Sequence, residues 1–336
     1  MLYISKMNLP SQARLIEILK KQVPENLSLP MELGQILGIS ADSAYRRLRC
    51  ETAFTLDETA LVCRHFDVPL EALNDIISGV VSFRYQPIEA GENSMRDYLA
   101  GFSAQVKTIS QFKEKHIYYA AEDIPLFHVY AWPVLSDFKF FYWRKSILNQ
   151  QDLQNKKYSL ANLDEGLLEM AKNASLAYAA IESTEIWTEE TISSTLMQIE
   201  FYAEAGLFES AEDASRVLDD LKGLLENLQR QCDLGLKIRP GGSVSATPFH
   251  CHASDLMIGN NCVLVKTDKR KISFLGYNTF NFMSTGNPLF NEQNARWMEN
   301  LIAKSTQISR SAEKIRNQFF RTLLRRLEET RKKLED

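Results

Sequence analysis

The stretch Pro30–Cys50, PMELGQILGISADSAYRRLRC, predicts two short helices joined by a tight turn. In its first half Leu33 and Leu37 recur at helical spacing and contribute to one apolar face. Gly38 is expected to end this helix, because glycine adopts a positive φ without steric cost. Ser40 then offers a side-chain oxygen as the N-cap of the second helix. The stretch therefore indicates a helix-turn-helix arrangement.

The second helix, over about residues 41–49, turns Ala44 and Leu48 inward and leaves a polar and basic face outward. Such a face, on a helix held by a glycine turn, is typical of a recognition helix. Its N-terminal residues enter the major groove while its arginines contact bases or phosphates. A solvated helix face without a partner is the alternative interpretation. The residues predicted to contact DNA are Asp42, Ser43, Tyr45, Arg46, Arg47 and Arg49.

Residues 11–75 also resemble the helix-turn-helix domain of bacterial XRE (Cro/cI-like) transcriptional regulators, most closely the BetR-like subgroup. The resemblance is carried by LGQILGIS (33–40), AYRRLRCE (44–51), TLDE (55–58) and HFDVPLEAL (65–73). Two positions depart from the usual pattern. The inward apolar residue of the second helix is Leu48, one place later than in most such motifs, and Cys50 stands where a glycine is common. The resemblance implies an all-α domain that binds operator DNA.

The charge balance does not by itself indicate nucleic-acid binding. The 336-residue chain has a formal net charge of −4, and residues 1–75 contain eight lysines and arginines against ten acidic residues, a net of −2. Phosphate contacts dominate DNA affinity, so one such domain would bind weakly. We therefore expect affinity to depend on the local placement of arginines and on pairing two domains in a symmetric homodimer.

Composition places the chain among ordinary globular proteins, with 45% hydrophobic and 24% charged residues. The five cysteines are scattered without a CxxC pair, which favours reduced thiols in the cytoplasm over a disulfide framework or a structural zinc site. The N-terminus lacks the apolar core of a signal peptide, and no apolar run of some 18 residues is present. The sequence therefore predicts a cytoplasmic protein without a membrane-spanning helix.

The predicted organisation is an all-α domain over residues 1–76 and a larger, mainly helical α+β domain with a small sheet over residues 80–336. In the first domain one helix covers 11–23, with Leu15, Ile16, Leu19 and Val23 inward. Another starts at Leu56, with Ala60, Leu61 and Phe66 inward, and a short one covers 69–74.

In the second domain alternation predicts strands at 80–86, 116–121, 262–268 and 271–280, the last two as a hairpin. Helical spacing predicts helices at 94–115, 133–148, 164–183, 189–204, 210–234 and 291–305. The last predicted helix, about 309–336, is amphipathic and basic, with Ile315, Phe319, Leu323, Leu327 and Leu334 on one side. It could dock on its own domain, pair with a second subunit or lie on a membrane surface.

The second domain carries a less specific resemblance. IYYAAEDIPLF (117–127), ESTEIWTEETISSTLMQIEFYAEAGLF (182–208) and FLGYNTFNFMSTGNPLF (274–290) are similar to segments found C-terminal to this kind of DNA-binding domain in bacterial regulators. The resemblance implies a regulatory sensor or assembly domain over most of residues 80–310. It assigns no ligand.

The aromatic-rich stretch 118–143 is typical of a hydrophobic core, but an aromatic wall with a few polar groups also builds small-molecule pockets. The candidate effector pocket consists of Tyr118, Glu122, Asp123, His128 and Trp132, with Asn278 and Asn281 as weaker candidates. No nucleophile motif, phosphate loop or GxGxxG accompanies the acids, so catalysis is not expected. His250, His252 and Cys262 have metal-ligand chemistry without zinc-site spacing, so neither a metal nor another cofactor is expected.

Together these patterns predict a non-catalytic transcriptional regulator. Its first domain would bind a double-stranded DNA operator as part of a homodimer, and its second domain would sense a small-molecule effector or mediate dimerisation. Two alternatives stay open. The helical section at 160–235 could serve a protein-interaction scaffold, or the region 118–128 could serve an enzyme that the first domain targets to DNA.

Overall fold

A computed structural model describes residues 11–22, 28–66, 68, 70–73, 79–88, 91 and 93–335. The chain combines helices with one mixed sheet and divides into two units. The first unit ends at Phe83 and also takes in Asn287–Phe290, and the second comprises Arg84–Gly286 and Asn291–Asp336. No helix formed by the described residues is long and apolar enough to cross a membrane.

The described residues of the first unit between Ser11 and Leu73 are mainly helical. Its helices are α1 (Ser11–Gln22), α2 (Leu29–Leu37), α3 (Ala41–Leu48) and α4 (Leu56–His65), followed by a 3₁₀ turn at Leu70–Leu73. The inward face predicted for α1 is confirmed for Leu15, Ile16 and Leu19, whereas Val23 and the ends of the helix predicted at 69–74 lie outside the described residues. The core of this unit is formed by Leu15, Leu19, Leu33, Ala44, Val62 and Cys63.

The turn between α2 and α3 is closed by backbone geometry that the sequence predicted. Gly38 ends α2 in the left-handed conformation, with φ 64°, and the Ser40 hydroxyl accepts a hydrogen bond from the backbone N–H of Ser43 at 3.2 Å. Gly34 contributes as well, because a Cβ at this position would lie 3.0 Å from the carbonyl oxygen of Ile39. The two caps and the small residue together fix where α3 begins.

Helix α4 starts with a capping box, as its Thr55 and Glu58 allow. The Thr55 hydroxyl accepts from the Glu58 N–H at 3.1 Å, and the Glu58 carboxylate accepts from the Thr55 N–H at 2.9 Å. The predicted inward position of Leu61 is wrong, since this side chain is 46% exposed while Val62 and Cys63 are buried. Side chains of successive helix residues point in directions about 100° apart around the axis. Val62, Cys63 and Phe66 share the inner face, and Leu61 therefore points away from it.

Cys50, just after α3, has a left-handed backbone with φ 58°. This conformation is costly for any residue with a Cβ and free for glycine. We expect Cys50→Gly to raise the free energy of unfolding of the first unit by about 0.5–1 kcal/mol. Urea unfolding of the full chain followed by far-UV circular dichroism measures this, because all four tryptophans lie beyond residue 83. Cys50→Ala is the control, and an equal gain in that variant would contradict a backbone origin.

The second unit contains α5 (Ser94–Ser110), α6 (Leu126–Val129), α7 (Pro133–Tyr142), α8 (Glu165–Tyr178), α9 (Ser193–Glu204), α10 (Ala211–Leu234), α11 (Pro288–Ala303, whose first residues count with the first unit) and α12 (Glu313–Glu335). A π-helical turn, Trp143–Ile147, extends α7. Its strands are β1 (Lys115–Ala120), β2 (Glu182–Trp187), β3 (Leu236–Ile238), β4 (Val244–Ala253), β5 (Cys262–Thr267), β6 (Lys271–Tyr277), β7 (Asn281–Thr285) and β8 (Thr306–Gln307).

These strands form one sheet in the order β3-β4-β2-β1-β5-β6-β7, with β8 paired to β4. Strands β1, β2 and β4 are parallel to one another, and the remaining pairs are antiparallel. The parallel strands β4, β2 and β1 are neighbours in the sheet, and the connections from β1 to β2 and from β2 towards β4 contain helices, as parallel pairing requires. One face packs against the helices of the main core, and the other packs on Met298 and Leu301 of α11.

The predicted small sheet is therefore wrong in size. The hairpin β5–β6, the strand β1 and the helices predicted to begin at residues 94 and 133 are confirmed. Strands β2, β3, β4, β7 and β8 were not predicted. The strand predicted at 80–86 is also wrong, because Arg84 alone pairs there, in an isolated bridge with Ser284. Strand β2 escaped detection because its sequence ESTEIW places a glutamate, not an apolar residue, at a fully buried position.

Helix α12 docks on its own chain, the first of the three placements considered. Phe319, Leu323 and Leu327 are buried as predicted, whereas Ile315 is exposed and Phe320 takes an inward place instead. Ion pairs then tie α12 to α9, α10 and the turn before α9. They join Arg331 to Asp219 at 2.8 Å, Lys333 to Glu200 at 3.0 Å and Arg326 to Glu190 at 3.1 Å. Much of the basic charge of this helix is thus paired within the chain.

Candidate functional sites

The outward face of α3 presents the residues predicted to contact DNA. Asp42, Arg46 and Arg49 are exposed, and Tyr45 is 48% exposed. The Arg49 guanidinium lies 6.0 Å from the centre of the Tyr45 ring and 3.9 Å from the carboxylate of Glu51, a long surface pair that is worth little. Within the described part of the chain, the Arg46 guanidinium forms no hydrogen bond or ion pair. This face therefore offers two arginines and a tyrosine to a partner.

Arg47 is more buried than the neighbouring arginines Arg46 and Arg49. Its side chain is only 14% exposed and forms a two-point pair with Glu58 of α4, at 2.7 Å and 3.2 Å. The hydrogen bond from Arg47 lowers the pKa of Glu58, although burial acts in the opposite direction. Because the same Glu58 closes the capping box of α4, Arg47 links the end of α3 to the start of α4. Its position is that of a structural residue that sets the angle between these helices.

Gln12 of α1 holds the segment that follows α3. Its side-chain amide donates to the carbonyl oxygens of Arg47 and Thr52 at 2.9 Å each, and its side-chain oxygen accepts from the Phe54 N–H at 3.0 Å. One side chain therefore satisfies three backbone groups of an irregular loop, as such groups require. Sequence reasoning missed this role, because nothing in the pattern around residue 12 points to a partner forty residues away.

The five residues predicted as an effector pocket do not converge. Tyr118 stacks on His116 on the sheet face that α11 covers, with ring centres 4.3 Å apart, whereas His128 lies in the main core on the opposite face. Trp132 packs on α10, where a Cβ at Gly223 would come within 2.4 Å of its ring. None of the three lines the cavity described below.

The two acids of that set lie at the end of β1. The Glu122 side chain is exposed at the surface, and partial loss of water around its carboxylate together with the charge of Asp123 raises its pKa. The Asp123 carboxylate accepts hydrogen bonds from the Ile124 N–H at 2.8 Å and the Thr195 hydroxyl at 3.2 Å, and lies 3.6 Å from Nζ of the buried Lys139. Asp123 therefore caps the chain locally and pairs a buried lysine. The weaker candidate Asn281, in contrast, does line the cavity.

His250 and His252 of β4 lie on one face of the sheet, and Cys251 lies on the opposite face. His250 pairs with Glu182 at 3.0 Å, and burial together with the charge of His250 lowers the pKa of His252 to about 4. The Cys262 thiol donates to the side-chain oxygen of Asn294 at 3.3 Å. Across the described ranges, no group of three or more histidines, cysteines, aspartates or glutamates could hold a metal ion.

A buried polar network surrounds Glu185 in the middle of β2. Its carboxylate accepts hydrogen bonds from the Tyr178 hydroxyl and from the Trp187 indole at 2.8 Å, and both of its oxygens lie 2.9 Å from Nε2 of His128. Burial alone would raise the pKa of Glu185, but the charges of His128 and Lys237 and the hydrogen bonds lower it to about 2. The carboxylate is therefore held ionised inside the core.

The ammonium group of Lys237, on β3, lies beside this network. Its Nζ lies 3.1 Å from the centre of the Tyr178 ring and has no hydrogen-bond partner among the residues described. Burial lowers the pKa of Lys237 to about 7, although the charge of Glu185 acts against it. Neither Lys237 nor Glu185 lines the cavity described below, and both are fully buried or nearly so in the second unit.

A cavity of about 590 Å³ opens between α5 and the sheet. Its sheet wall comes from alternate positions of β1 and β5, and α6 closes its inner end with Leu126 and Phe127. The wall is mostly apolar: Phe102, Val106, Ile109, Ile117, Leu126, Phe127, Val263, Val265, Phe274 and Phe282.

The segment Arg84–Ile88, here called the strap, borders this cavity on its outer side. Arg84 exchanges two backbone hydrogen bonds with Ser284 of β7 at 2.7 Å and 3.0 Å. The Asn281 amide donates to the Gln86 carbonyl at 2.8 Å. The strap is thus tied to the sheet at two points, while its residues 84–87 are otherwise exposed.

No protein-family model matches the chain, and no match to it was found among curated proteins or solved structures.

Proposed function

We propose that the chain is a non-catalytic transcriptional regulator whose outward α3 face contacts operator DNA. The observation that carries this proposal is the pairing of a short, capped helix with an exposed Tyr45, Arg46 and Arg49 beside one another. Arginine reads guanine edges in the major groove and also contacts phosphates. Asp42 and Ser43, in the first turn of the helix, occupy the positions that enter the groove in helix-turn-helix proteins.

The surroundings of α3 support the same function. A recognition helix must hold a fixed angle, because a small rotation moves its side chains from one base pair to the next. The glycine turn, the Ser40 cap, the Arg47–Glu58 pair and the Gln12 bonds each restrain α3 or the chain that leaves it. We therefore assign Arg47 a positioning role, and leave Asp42, Ser43, Tyr45, Arg46 and Arg49 as the proposed DNA contacts.

The proposal includes a homodimer and a cytoplasmic location. Residues 1–75 carry a net charge of −2, so two copies of α3 are needed to reach the affinity of a specific regulator. Two-fold symmetry would then place the two helices one turn of DNA apart, about 34–36 Å, and the operator would be palindromic. Residues 80–336 would sense an effector, which changes DNA affinity only if it prefers one arrangement of the dimer.

One observation favours the alternative of a protein-interaction scaffold that uses residues 160–235. Met197 and Phe201 lie one turn apart on α9 and are 62% and 53% exposed. An exposed pair of large apolar residues is a common mark of a contact surface. The scaffold predicts binding of a partner protein at α9 and no selection of any DNA sequence.

The deciding experiment is selection of duplexes from a random pool by the full-length protein at two salt concentrations. We expect an enriched, two-fold symmetric motif whose affinity falls steeply as salt rises, because phosphate contacts release counterions. Absence of an enriched motif at both salt concentrations would contradict the proposal. Retention of DNA without sequence preference would equally do so, since it would show general charge attraction only.

A further inference from the structure

The cavity beside α5 has the size and lining of a small-molecule site. Its volume of about 590 Å³ lies within the usual range of such sites, roughly 300–1,000 Å³. The deep wall consists of aliphatic and aromatic side chains such as Val106, Ile117 and Phe127. A charged group would lose its hydration here without gaining a partner, so the deep part suits an apolar group.

Gly101 gives a second, independent observation. It lies in the middle of α5, where glycine destabilises a helix by about 1 kcal/mol relative to alanine. Close packing does not require it, because the nearest atom to a Cβ at this position would be the side-chain oxygen of Gln86 at 3.9 Å. A side chain at residue 101 would instead project into the cavity that this residue lines. The glycine therefore keeps the cavity open at a cost to the helix.

The rim of the cavity is polar, whereas its deep part is apolar. Gln86 of the strap, Asn93 before α5 and Gln105 on α5 bring uncharged amide groups to the outer edge, and all three residues are exposed. The exposed Arg84 and Asp97 also line the cavity and contribute one charge of each sign, so the rim has no net charge. Amides both donate and accept hydrogen bonds, which suits a neutral carbonyl, hydroxyl or amide group on a ligand. The combination matches a molecule with an apolar body and a neutral polar end.

We propose that this cavity is the effector site and that it binds an apolar small molecule with a neutral polar end, held beneath the strap. This inference extends the proposed function, because it names the ligand class and the route of regulation. The strap begins at Arg84, directly after Phe83, where the N-terminal segment of the first unit ends. A ligand that contacts the strap thus acts on the chain segment that is continuous with the proposed DNA-binding unit.

Binding is tested without DNA by titrating the full-length protein with Nile red, a neutral aromatic dye that fluoresces in apolar surroundings. We expect saturable binding to the wild-type protein. Gly101→Leu should weaken it at least tenfold, because the new side chain fills the cavity. The same variant should keep or raise its melting temperature, because leucine favours the helix.

Ala104→Leu is the matched control, since Ala104 is exposed on the same helix and does not line the cavity. It should bind Nile red as the wild type does. Gly101→Ala adds a single methyl group and serves as the second variant if leucine disturbs folding, with a smaller loss expected. No saturable binding by the wild-type protein, or equal binding by the wild type and a folded Gly101 variant, would overturn the proposal.

Regulation is then tested on the operator recovered by selection. Saturating Nile red should change the DNA affinity of the wild-type protein and leave that of Gly101→Leu unchanged. Dye binding without an effect on DNA affinity would overturn the regulatory part alone. If no DNA sequence is selected, the proposed function fails, while the Nile red titration still decides whether the cavity is a ligand site.

Discussion

Replacing Glu185 with leucine is expected to lower the free energy of unfolding by about 3–5 kcal/mol, the usual cost of removing one partner from a buried ion pair. Glu185 is fully buried, and its carboxylate accepts from Tyr178, Trp187 and His128. Leucine keeps much of the volume but accepts no hydrogen bond. Three buried donors would then lack a partner, and Lys237 would lose the negative charge nearby.

The loss depends on pH in a defined direction. The pKa of Glu185 is lowered to about 2 in the folded chain, below its ordinary value of 4.5. A lowered pKa means that the folded state binds the proton less readily than the unfolded state, so the stabilisation is fully present above pH 4.5. It is lost as the pH falls from about 4.5 towards 2. The stability difference between wild type and Glu185→Leu should therefore shrink through this window.

Urea unfolding followed by tryptophan fluorescence measures the difference directly, because Trp187 is itself a partner of Glu185. Glu182→Leu makes the same change on the same strand at a partly exposed surface pair, and should cost less than about 1 kcal/mol. Glu185→Gln should give an intermediate loss, since the amide keeps one accepting oxygen. A loss in Glu185→Leu no larger than in Glu182→Leu would contradict a structural role for the network.

Removing the two exposed arginines of α3 should nearly abolish operator binding. A contact from one arginine to a base contributes about 1–3 kcal/mol, and each arginine occurs twice in a symmetric dimer. Arg46→Ala alone is therefore expected to weaken binding at least 30-fold, and Arg46→Ala with Arg49→Ala by more. Fluorescence anisotropy with the selected operator measures the affinity, and repeating it on mismatched operators shows which base pair each arginine reads.

Arg64→Ala is the matched control, since it removes one exposed arginine from α4 of the same unit. Equal losses in Arg46→Ala and Arg64→Ala would point to general charge attraction and contradict a specific α3 contact. Arg47→Ala is unsuitable as a first test. It breaks the pair with Glu58 and so changes the angle of α3 whether or not Arg47 contacts DNA.

Helix caps, turns and the spacing of apolar residues were enough to predict most of the helices and strands that carry the two candidate sites. Gly38, Ser40 and Thr55 predicted where α2 ends and where α3 and α4 begin, because caps and turns involve residues within four positions of each other. The apolar spacing of α5 and the alternation of β5 and β6 likewise report on neighbouring residues only. Where one face is buried and the other exposed, the pattern is visible in the sequence.

Tertiary structure decided what depends on distant partners. Strand β2 is buried on both faces and keeps Glu185 inside only because Tyr178, His128 and Trp187 surround it. Arg47 looked like its neighbours until Glu58, eleven residues away, paired with it. The cavity gathers residues from 84 to 284, and Gly101, unremarked in the sequence, marks it more clearly than any aromatic residue. Residue type and spacing were sufficient to predict the local elements and the outward basic face of α3. Which polar groups are satisfied, and where empty space remains, was decided by packing between segments far apart in the chain.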